Sequence, residues 1–272
     1  MRLGFGFGLH KHRLSGGGFE GMLNLFPNAS LGLSLDKLNK NYTGSAIKVR
    51  RSSDNAELDI GFVDGVLDTA SLLDFVGSGN GFVSIIYDQV GSNNMVKNLA
   101  SLQGQIVSNG SVIFKGGKPC ILRSSNDDGG YLSTYSPNDG VAVKGMFYVG
   151  DNQGKTSCIF GSNSGGSDYG FVAASGSTSS LIDFRPTITL TKLNGGTTTI
   201  ANRGEVFTAT NNQFLLYREI EFNFDDNVLG LGYRKTKTSN FGMFTFQELV
   251  IFENTEDAVA KENNINSRYN IY

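Results

Sequence analysis

The chain has 272 residues, which is enough for one large domain or two small ones, and it has no cysteine-rich or proline-rich tract. Glycine is abundant at 36 residues, whereas proline (4), tryptophan (0) and charged residues (18%) are scarce. This composition excludes a helical bundle, a coiled coil and an ordinary disordered chain. Because 23 basic and 25 acidic side chains give a net charge of −2, no global field favours nucleic acid or an anionic membrane as a partner.

Residues 1–20 form a glycine-rich segment that we expect to attach the protein to a neighbouring subunit. Glycines and the charge at Lys11 interrupt its apolar residues, so neither a signal peptide nor a membrane span is predicted. The apolar side chains of so short a segment cannot bury one another. We therefore predict a homo-oligomer, or docking on one, with assembly contacts through Leu3, Phe5, Phe7 and Leu9.

Three short helices are predicted in the remainder of the chain. Leu31, Leu35 and Leu38 recur at helical spacing after Pro27-Asn28, which favours a first helix there. A second helix is predicted from Asp68, which can cap it, to Val76, with Gly77 at its end. A last helix of about three turns is predicted to follow residues 254–257 and to reach Arg268.

From Phe82 onward, short β-type runs alternate with turn-forming clusters. In residues 213–224, Phe214, Leu216 and Ile220 share one face of a strand, while Glu219 and Glu221 share the opposite, solvated face. Asn194-Gly195-Gly196 predicts a hairpin between 188–193 and 197–200. Further strands are predicted at 82–87, 111–114, 146–149, 157–160, 169–173, 181–184, 228–233 and 243–252. Residues 21–272 are therefore predicted to form an all-β, two-sheet antiparallel sandwich (jelly roll) with a few short helices.

The two cysteines, Cys120 and Cys158, lie in apolar strand-like runs. A sandwich can pair two such cysteines across neighbouring strands, but one pair far apart in sequence is not a disulfide framework. We expect two buried free thiols. No metal and no cofactor is predicted, because His10 and His12 lack a third ligand and the Asp151-Asn152 pair is explained by a turn.

One long run carries a family resemblance. Residues 38–57, followed by 67–71, 81–83 and Tyr87-Asp88-Gln89, resemble the opening of the arabinofuranosidase B catalytic-domain family, whose fold is a concanavalin A-like β-sandwich. The similarity extends through 117–119 and 125–127 to the closing strand and helix around 247–252 and 264–266. The resemblance covers residues 22–272 and is strongest before residue 130.

The segments that resemble the arabinofuranosidase B family also resemble segments of structural proteins of phages that infect Bacteroidetes-type bacteria. This resemblance implies a virion protein, made in the host cytoplasm, whose partners are other virion proteins and its own copies. A glycan on the host surface is a further possible partner.

The resemblance implies that two carboxylates are needed for catalysis, because retaining arabinofuranosidases use a nucleophile and an acid/base group. Ile182-Asp183-Phe184-Arg185 is similar to the family's nucleophile motif, with Arg185 in the place of the carboxylate. In Gly230-Leu231-Gly232-Tyr233-Arg234, Arg234 occupies the place of the acid/base group. We therefore expect no enzymatic activity. The alternative is an active retaining arabinofuranosidase or related glycoside hydrolase, with a working pair among Asp183, Glu219, Glu221, Asp225 and Asp226.

The resemblance also implies where a glycan would bind. The residues that match the family's sugar site are Tyr87, Asp88, Gln89, Asp183 and Tyr233, and tyrosine rings with carboxylates can hold sugar hydroxyls. The alternative is that these residues only support the sandwich.

Overall fold

The computed structural model describes residues 19–124, 130–135, 144–162, 170–179, 187–198, 200, 202–221, 229–232 and 243–272. The helices are α1 (Met22–Leu25), α2 (Thr69–Val76), α3 (Arg203–Ala209) and α4 (Ala258–Tyr269), with a 3-10 turn at Ala100–Leu102. The strands before residue 140 are β1 (Ala29–Ser34), β2 (Ile47–Arg51), β3 (Glu57–Ile60), β4 (Phe62–Val63), β5 (Val66–Leu67), β6 (Gly81–Ile86), β7 (Met95–Val96), β8 (Gly104–Ser108), β9 (Ser111–Val112), β10 (Phe114–Lys115), β11 (Lys118–Pro119), β12 (Ile121–Arg123) and β13 (Tyr131–Leu132). The later strands are β14 (Lys144–Asp151), β15 (Ser157–Ser162), β16 (Gly170–Ala173), β17 (Thr187–Leu193), β18 (Gly196–Thr197), β19 (Phe214–Glu221), β20 (Leu229–Leu231) and β21 (Phe244–Phe252).

The strands form an antiparallel sandwich, as the sequence predicts. In one layer β17, β19, β14, β21 and β1 pair in that order. In the other layer the order of pairing is β3, β2, β6, β7, β13, β20, β15 and β16. Strand β12 pairs with β21 and with β8, so it joins the two layers at one side.

The main apolar core lies between the layers and takes side chains from both, including Val49, Val83, Tyr148, Leu216 and Leu249. A second apolar cluster lies on the outer face of the first layer, where α1 and α4 cover Phe147, Leu215 and Val250. Because both faces are covered, every residue of β14 and of β21 is buried.

The helices on the outer face of the first layer show that the solvated face predicted for β19 is wrong. Leu216 and Ile220 face the main core as expected, but Leu215 and Tyr217 on the opposite face are buried as well. The sequence alternation identified the inner face correctly, and it missed the second apolar layer because that layer is created by α4, more than 35 residues further along the chain.

The predicted first helix is wrong, because the residues after Asn28 form β1. Leu31 and Leu33 both point into the main core, and β1 pairs with β21. The pairing with β21 outweighs the helical spacing of the leucines, as tertiary contacts often do for short segments.

Helix α2 and the last helix α4 are confirmed. Asp68 caps α2 by accepting a hydrogen bond from the Ser71 backbone N–H, and Gly77 follows the helix with φ of 66°. The 194–196 hairpin is also confirmed, with Asn194 and Gly195 both at positive φ between β17 and β18. Helix α3 was not predicted.

Cys120 and Cys158 are both buried and are not joined by a disulfide, as expected. Within the described ranges, no helix is long and apolar enough to cross a bilayer.

Candidate functional site

The Tyr87-Asp88-Gln89 segment directly follows β6. The Tyr87 side chain points outward, and the side chains of Asp88 and Gln89 point inward. Tyr87 is half-buried at the surface, and its hydroxyl donates to Asp59 Oδ1 at 2.7 Å. The Lys48 ammonium lies 3.9 Å from the same Asp59 oxygen, with β2 and β3 side by side. Partial burial, and then the hydrogen bond to Asp59, raises the pKa of Tyr87, so the phenol stays protonated at neutral pH.

Asp88 is 2% exposed and holds the loop that follows it. Its Oδ1 accepts from the backbone N–H groups of Gly32 and Val90, each at 3.0 Å. Its Oδ2 accepts from the N–H groups of Gly91 at 3.1 Å and Asn93 at 3.2 Å. Four backbone donors use both carboxylate oxygens, which leaves Asp88 as a structural centre that fixes the loop against β1.

Gln89 has a similar role. It is 3% exposed, and its Oε1 accepts from the Leu38 backbone N–H at 2.7 Å. Its Nε2 donates to the carbonyl oxygens of Ser34 and Asp36. Asp88 and Gln89 therefore bind the backbone of the segment after β1, and Tyr87 alone of the three presents a polar group at the surface.

Apart from Glu219 and Glu221 on β19, the other predicted site residues lie outside the described residues. These are the glycan-site candidates Asp183 and Tyr233, the substituting Arg185 and Arg234, the carboxylates Asp225 and Asp226, and the assembly residues Leu3, Phe5, Phe7 and Leu9. A glycan contact at Tyr87, Asp183 and Tyr233 therefore stays a prediction.

Glu219 lies on the outer, α4 side of the first layer. Its Oε1 accepts from the Tyr217 hydroxyl at 2.9 Å, and Tyr217 belongs to the outer apolar cluster. Burial, and then this hydrogen bond, raises the pKa of Tyr217. The position favours a structural role for Glu219 over membership of a catalytic pair.

A cavity of about 770 Å³ borders α3, and its volume is within the range of roughly 300–1,000 Å³ typical of small-molecule sites. Hydroxyl and amide side chains from three segments line it. The described lining residues are Gly176, Ser177, Thr178, Thr198, Ile200, Asn202, Gly204, Glu205, Thr208 and Ala209.

Glu205 is the carboxylate among these lining residues, and Asn202 holds it in place. Asn202 begins α3, where its Oδ1 accepts from the Glu205 backbone N–H at 2.9 Å and its Nδ2 donates to Glu205 Oε1 at 2.7 Å. Asn202 is thus the side-chain N-cap of α3, and the pattern is readable as Asn-x-x-Glu before Val206 and Phe207. It is the signal that would have identified α3, and with it the cavity, from the sequence.

Among the described residues, no group of three or more histidine, cysteine, aspartate or glutamate side chains is placed to hold a metal ion.

The sequence and the fold both match arabinofuranosidases. A model of the family "Alpha-L-arabinofuranosidase B, catalytic" matches residues 34–114, which is under a third of the chain. This segment contains Tyr87-Asp88-Gln89. No curated protein matches the sequence.

Three solved structures share the fold. A mutant of a GH54 α-L-arabinofuranosidase soaked with 4-nitrophenyl α-L-arabinofuranoside matches 87% of this chain and 62% of its own, at 14% identity and a TM-score of 0.56. A GH54 α-L-arabinofuranosidase soaked with a cyclic sulfate inhibitor has the same coverage and identity and a TM-score of 0.53. An arabinofuranosidase complexed with arabinofuranosyl-α-1,2-xylobiose matches 90% of this chain and 64% of its own, at 14% identity and a TM-score of 0.56. The chain thus spans less than two thirds of the length of each.

These similarities contradict the expectation of a protein without enzymatic activity. The three solved structures that share the fold are arabinofuranosidases with substrate or inhibitor. The expectation depended on an alignment that put Arg185 and Arg234 where the family has carboxylates, and both arginines lie outside the described residues.

Proposed function

We propose that this protein is a glycoside hydrolase that acts on α-L-arabinofuranosides. The observation that carries the proposal is the arabinofuranosidase fold over 87–90% of the chain, together with the family match over residues 34–114. The chemistry needs one carboxylate that attacks the anomeric carbon and one carboxylic acid that protonates the leaving oxygen; water then releases the sugar from the first carboxylate.

We place the substrate in the cavity beside α3. Its volume of about 770 Å³ accommodates a sugar, and its serine, threonine and asparagine side chains offer hydrogen bonds to hydroxyl groups. Glu205 is our candidate for one carboxylate. Asp183 is the candidate for the other, because the resemblance assigns it to the sugar site and its segment follows Ser179 in the sequence, directly after the lining residues 176–178.

Release of 4-nitrophenol from 4-nitrophenyl α-L-arabinofuranoside by the intact chain tests the function. The site is tested with Asp183→Asn and Glu205→Gln, each of which should lower kcat by several orders of magnitude if the carboxylate is catalytic. The amide oxygen of a glutamine can still accept from Asn202 Nδ2, so Glu205→Gln should keep the melting temperature of the parent protein.

The exposed carboxylate Glu57 on β3 provides a matched control, since Glu57→Gln should leave the rate unchanged. No release of 4-nitrophenol by the intact chain contradicts the proposed function. A rate that survives in both Asp183→Asn and Glu205→Gln contradicts the proposed site and leaves the function standing.

We also propose that the protein is carried in a phage particle. Support comes from the resemblance to phage structural proteins and from the apolar side chains spaced by glycines in residues 1–9. Mass spectrometry of purified particles tests this location, and recovery of the protein only from the lysate, free of particles, contradicts it.

A further inference from the structure

A second cavity, of about 450 Å³, opens between the β10–β11 hairpin, the loop after β14 and the start of β19. It lies beside the first cavity along the chain, because Thr208 and Ala209 line the first and Asn211 and Asn212 line the second. Its described lining residues are Ile113, Phe114, Lys115, Cys120, Leu122, Asp151, Gln153, Gly154, Asn211, Asn212 and Thr245.

Buried amides fix the hairpin wall of this cavity. Gln247 is fully buried, and its Nε2 donates to the carbonyl oxygens of Lys115 at 3.0 Å and of Lys118 and Pro119 at 3.3 Å. Gln213 in turn donates to Gln247 Oε1 at 2.7 Å. The hairpin is thereby held against β21.

The turn of the hairpin is equally constrained. Gly116 and Gly117 connect β10 to β11 with φ of 55° and 77°, as the tight two-residue turn requires. A Cβ on Gly116 would overlap the Gln213 side chain, whereas a Cβ on Gly117 would meet nothing within 4 Å. The hairpin therefore packs closely at Gly116, and the cavity wall is formed before any ligand arrives.

The opposite wall is also fixed. Asn152 Nδ2 donates to the Phe207 carbonyl oxygen and to the Thr210 hydroxyl, and Asn152 Oδ1 accepts from the Gly154 N–H at 2.7 Å. Gln153 Nε2 donates to the Arg123 carbonyl oxygen at 2.8 Å.

The described lining carries balanced charge. Asp151 is fully buried, with Oδ1 accepting from the Thr245 hydroxyl and the Gln153 N–H, and its Oδ2 forms an ion pair with Lys115. These two are the charged side chains among the described lining residues, so together they contribute no net charge. A neutral ligand is favoured over an ionic one.

An aromatic ring and exposed amides complete the surface. The Phe114 side chain is 54% exposed although it lies in a short, well-anchored hairpin. Asn211 and Asn212 line the same cavity, are exposed, and provide both donors and acceptors. A cavity lined by an apolar ring and two amides suits a ligand that carries both C–H groups and hydroxyl groups.

We propose that this second cavity binds a neutral saccharide, with its C–H face on Phe114 and its hydroxyl groups at Asn211 and Asn212. The site is distinct from the cavity beside α3, and its occupation does not depend on hydrolysis at that cavity.

The absence of tryptophan from the chain allows a site-specific test. Phe114→Trp in the full chain places the one tryptophan at the second cavity, and its emission reports binding there alone. Titration with L-arabinose, D-xylose or methyl α-L-arabinofuranoside should change the emission saturably with at least one of them. Adding Asn212→Ala should weaken that binding about three- to tenfold through the loss of one hydrogen-bonding amide.

Leu99→Trp is the matched control, because Leu99 is 57% exposed and lies outside both cavities; its emission should not respond. The proposal is overturned if none of the three sugars changes the emission of Phe114→Trp, or if Leu99→Trp responds equally. It is also overturned if D-glucuronate is the only ligand bound, or if Asn212→Ala leaves the affinity unchanged.

Discussion

At the residue scale, Asp88 belongs to a motif that the sequence identifies, but the sequence does not show which groups the Asp88 side chain binds. The sequence marks Tyr87-Asp88-Gln89 as similar to a sugar-binding segment. The Asp88 carboxylate instead accepts hydrogen bonds from four backbone N–H groups. One of these belongs to Gly32, 56 positions earlier. Sequence alone cannot give the orientation of a side chain that depends on so distant a strand, whereas the outward position of Tyr87 follows from simple alternation after β6.

Replacing Asp88 should destabilise the fold. Asp88→Ala removes the acceptor of one buried and three partly buried N–H groups and is expected to lower the free energy of unfolding by about 2–4 kcal/mol. Urea unfolding monitored by circular dichroism measures the change. Asp74→Ala is the control, since Asp74 is exposed on α2 and its loss should change the stability by no more than about 0.5 kcal/mol. Equal effects of the two substitutions would refute the structural role of Asp88.

Cys120 should be unreactive in the folded protein. Burial, with the nearby Asp151 charge, raises the pKa of its thiol to about 12, and the thiolate is the nucleophile. Iodoacetamide at pH 8 should therefore leave Cys120 unmodified until urea is added, as mass spectrometry can show. Because the raised pKa belongs to the folded state, the corresponding stability should be lost as the pH rises from about 9 towards 12. Rapid labelling of folded protein would contradict this.

At the element scale, α4 is held to the sandwich by an ion pair between the partly buried Arg268 and the fully buried Glu248. The Arg268 guanidinium binds Glu248 of β21 with both terminal nitrogens, at 2.7 and 2.6 Å. The hydroxyls of Ser34 and Tyr269 donate to the same carboxylate. The attraction of Glu248 raises the pKa of Arg268 against the opposing effect of burial, so the guanidinium stays charged.

Breaking this pair should cost more than breaking a surface pair. Arg268→Ala leaves Glu248 charged and buried, and we expect a loss of about 3–5 kcal/mol in the free energy of unfolding. The exposed Lys40–Glu20 pair is the comparison, and Lys40→Ala should cost between roughly 0 and 1 kcal/mol. Guanidinium chloride unfolding curves of the two variants decide the matter, and similar midpoints would show that the Arg268–Glu248 pair does not anchor α4.

The elements differ in how well the sequence predicts them, and the differences have local causes. Helix α2 carries its own cap at Asp68 and its own stop at Gly77, so it is predicted with its boundaries. β1 has no such signals, and its partner β21 decides its structure. Helix α3 has seven residues, too few for a clear apolar period, and only the Asn202–Glu205 spacing marks it.

At the scale of the whole molecule, the described residues of both apolar clusters follow the glycine-rich segment, beginning with Met22. Deleting residues 1–18 should therefore leave a folded sandwich with the circular dichroism spectrum of the full chain. If Leu3, Phe5, Phe7 and Leu9 form the assembly contacts, the shortened protein should elute as a smaller species in size-exclusion chromatography. Unchanged assembly after the deletion would contradict the predicted role of the segment.

The pairing of β1 with β21 has a consequence for synthesis on the ribosome. Ser34 and Glu248, which meet in the finished sandwich, are 214 positions apart, and β21 also supplies the neighbour of β14 and of β12. The first layer cannot form completely while β21 is still inside the exit tunnel. The edges of β1, β12 and β14 that pair with β21 therefore stay unpaired until β21 emerges. Folding of the sandwich is thus expected to complete only after β21 has left the tunnel, and the nascent chain is most exposed to aggregation immediately before that point.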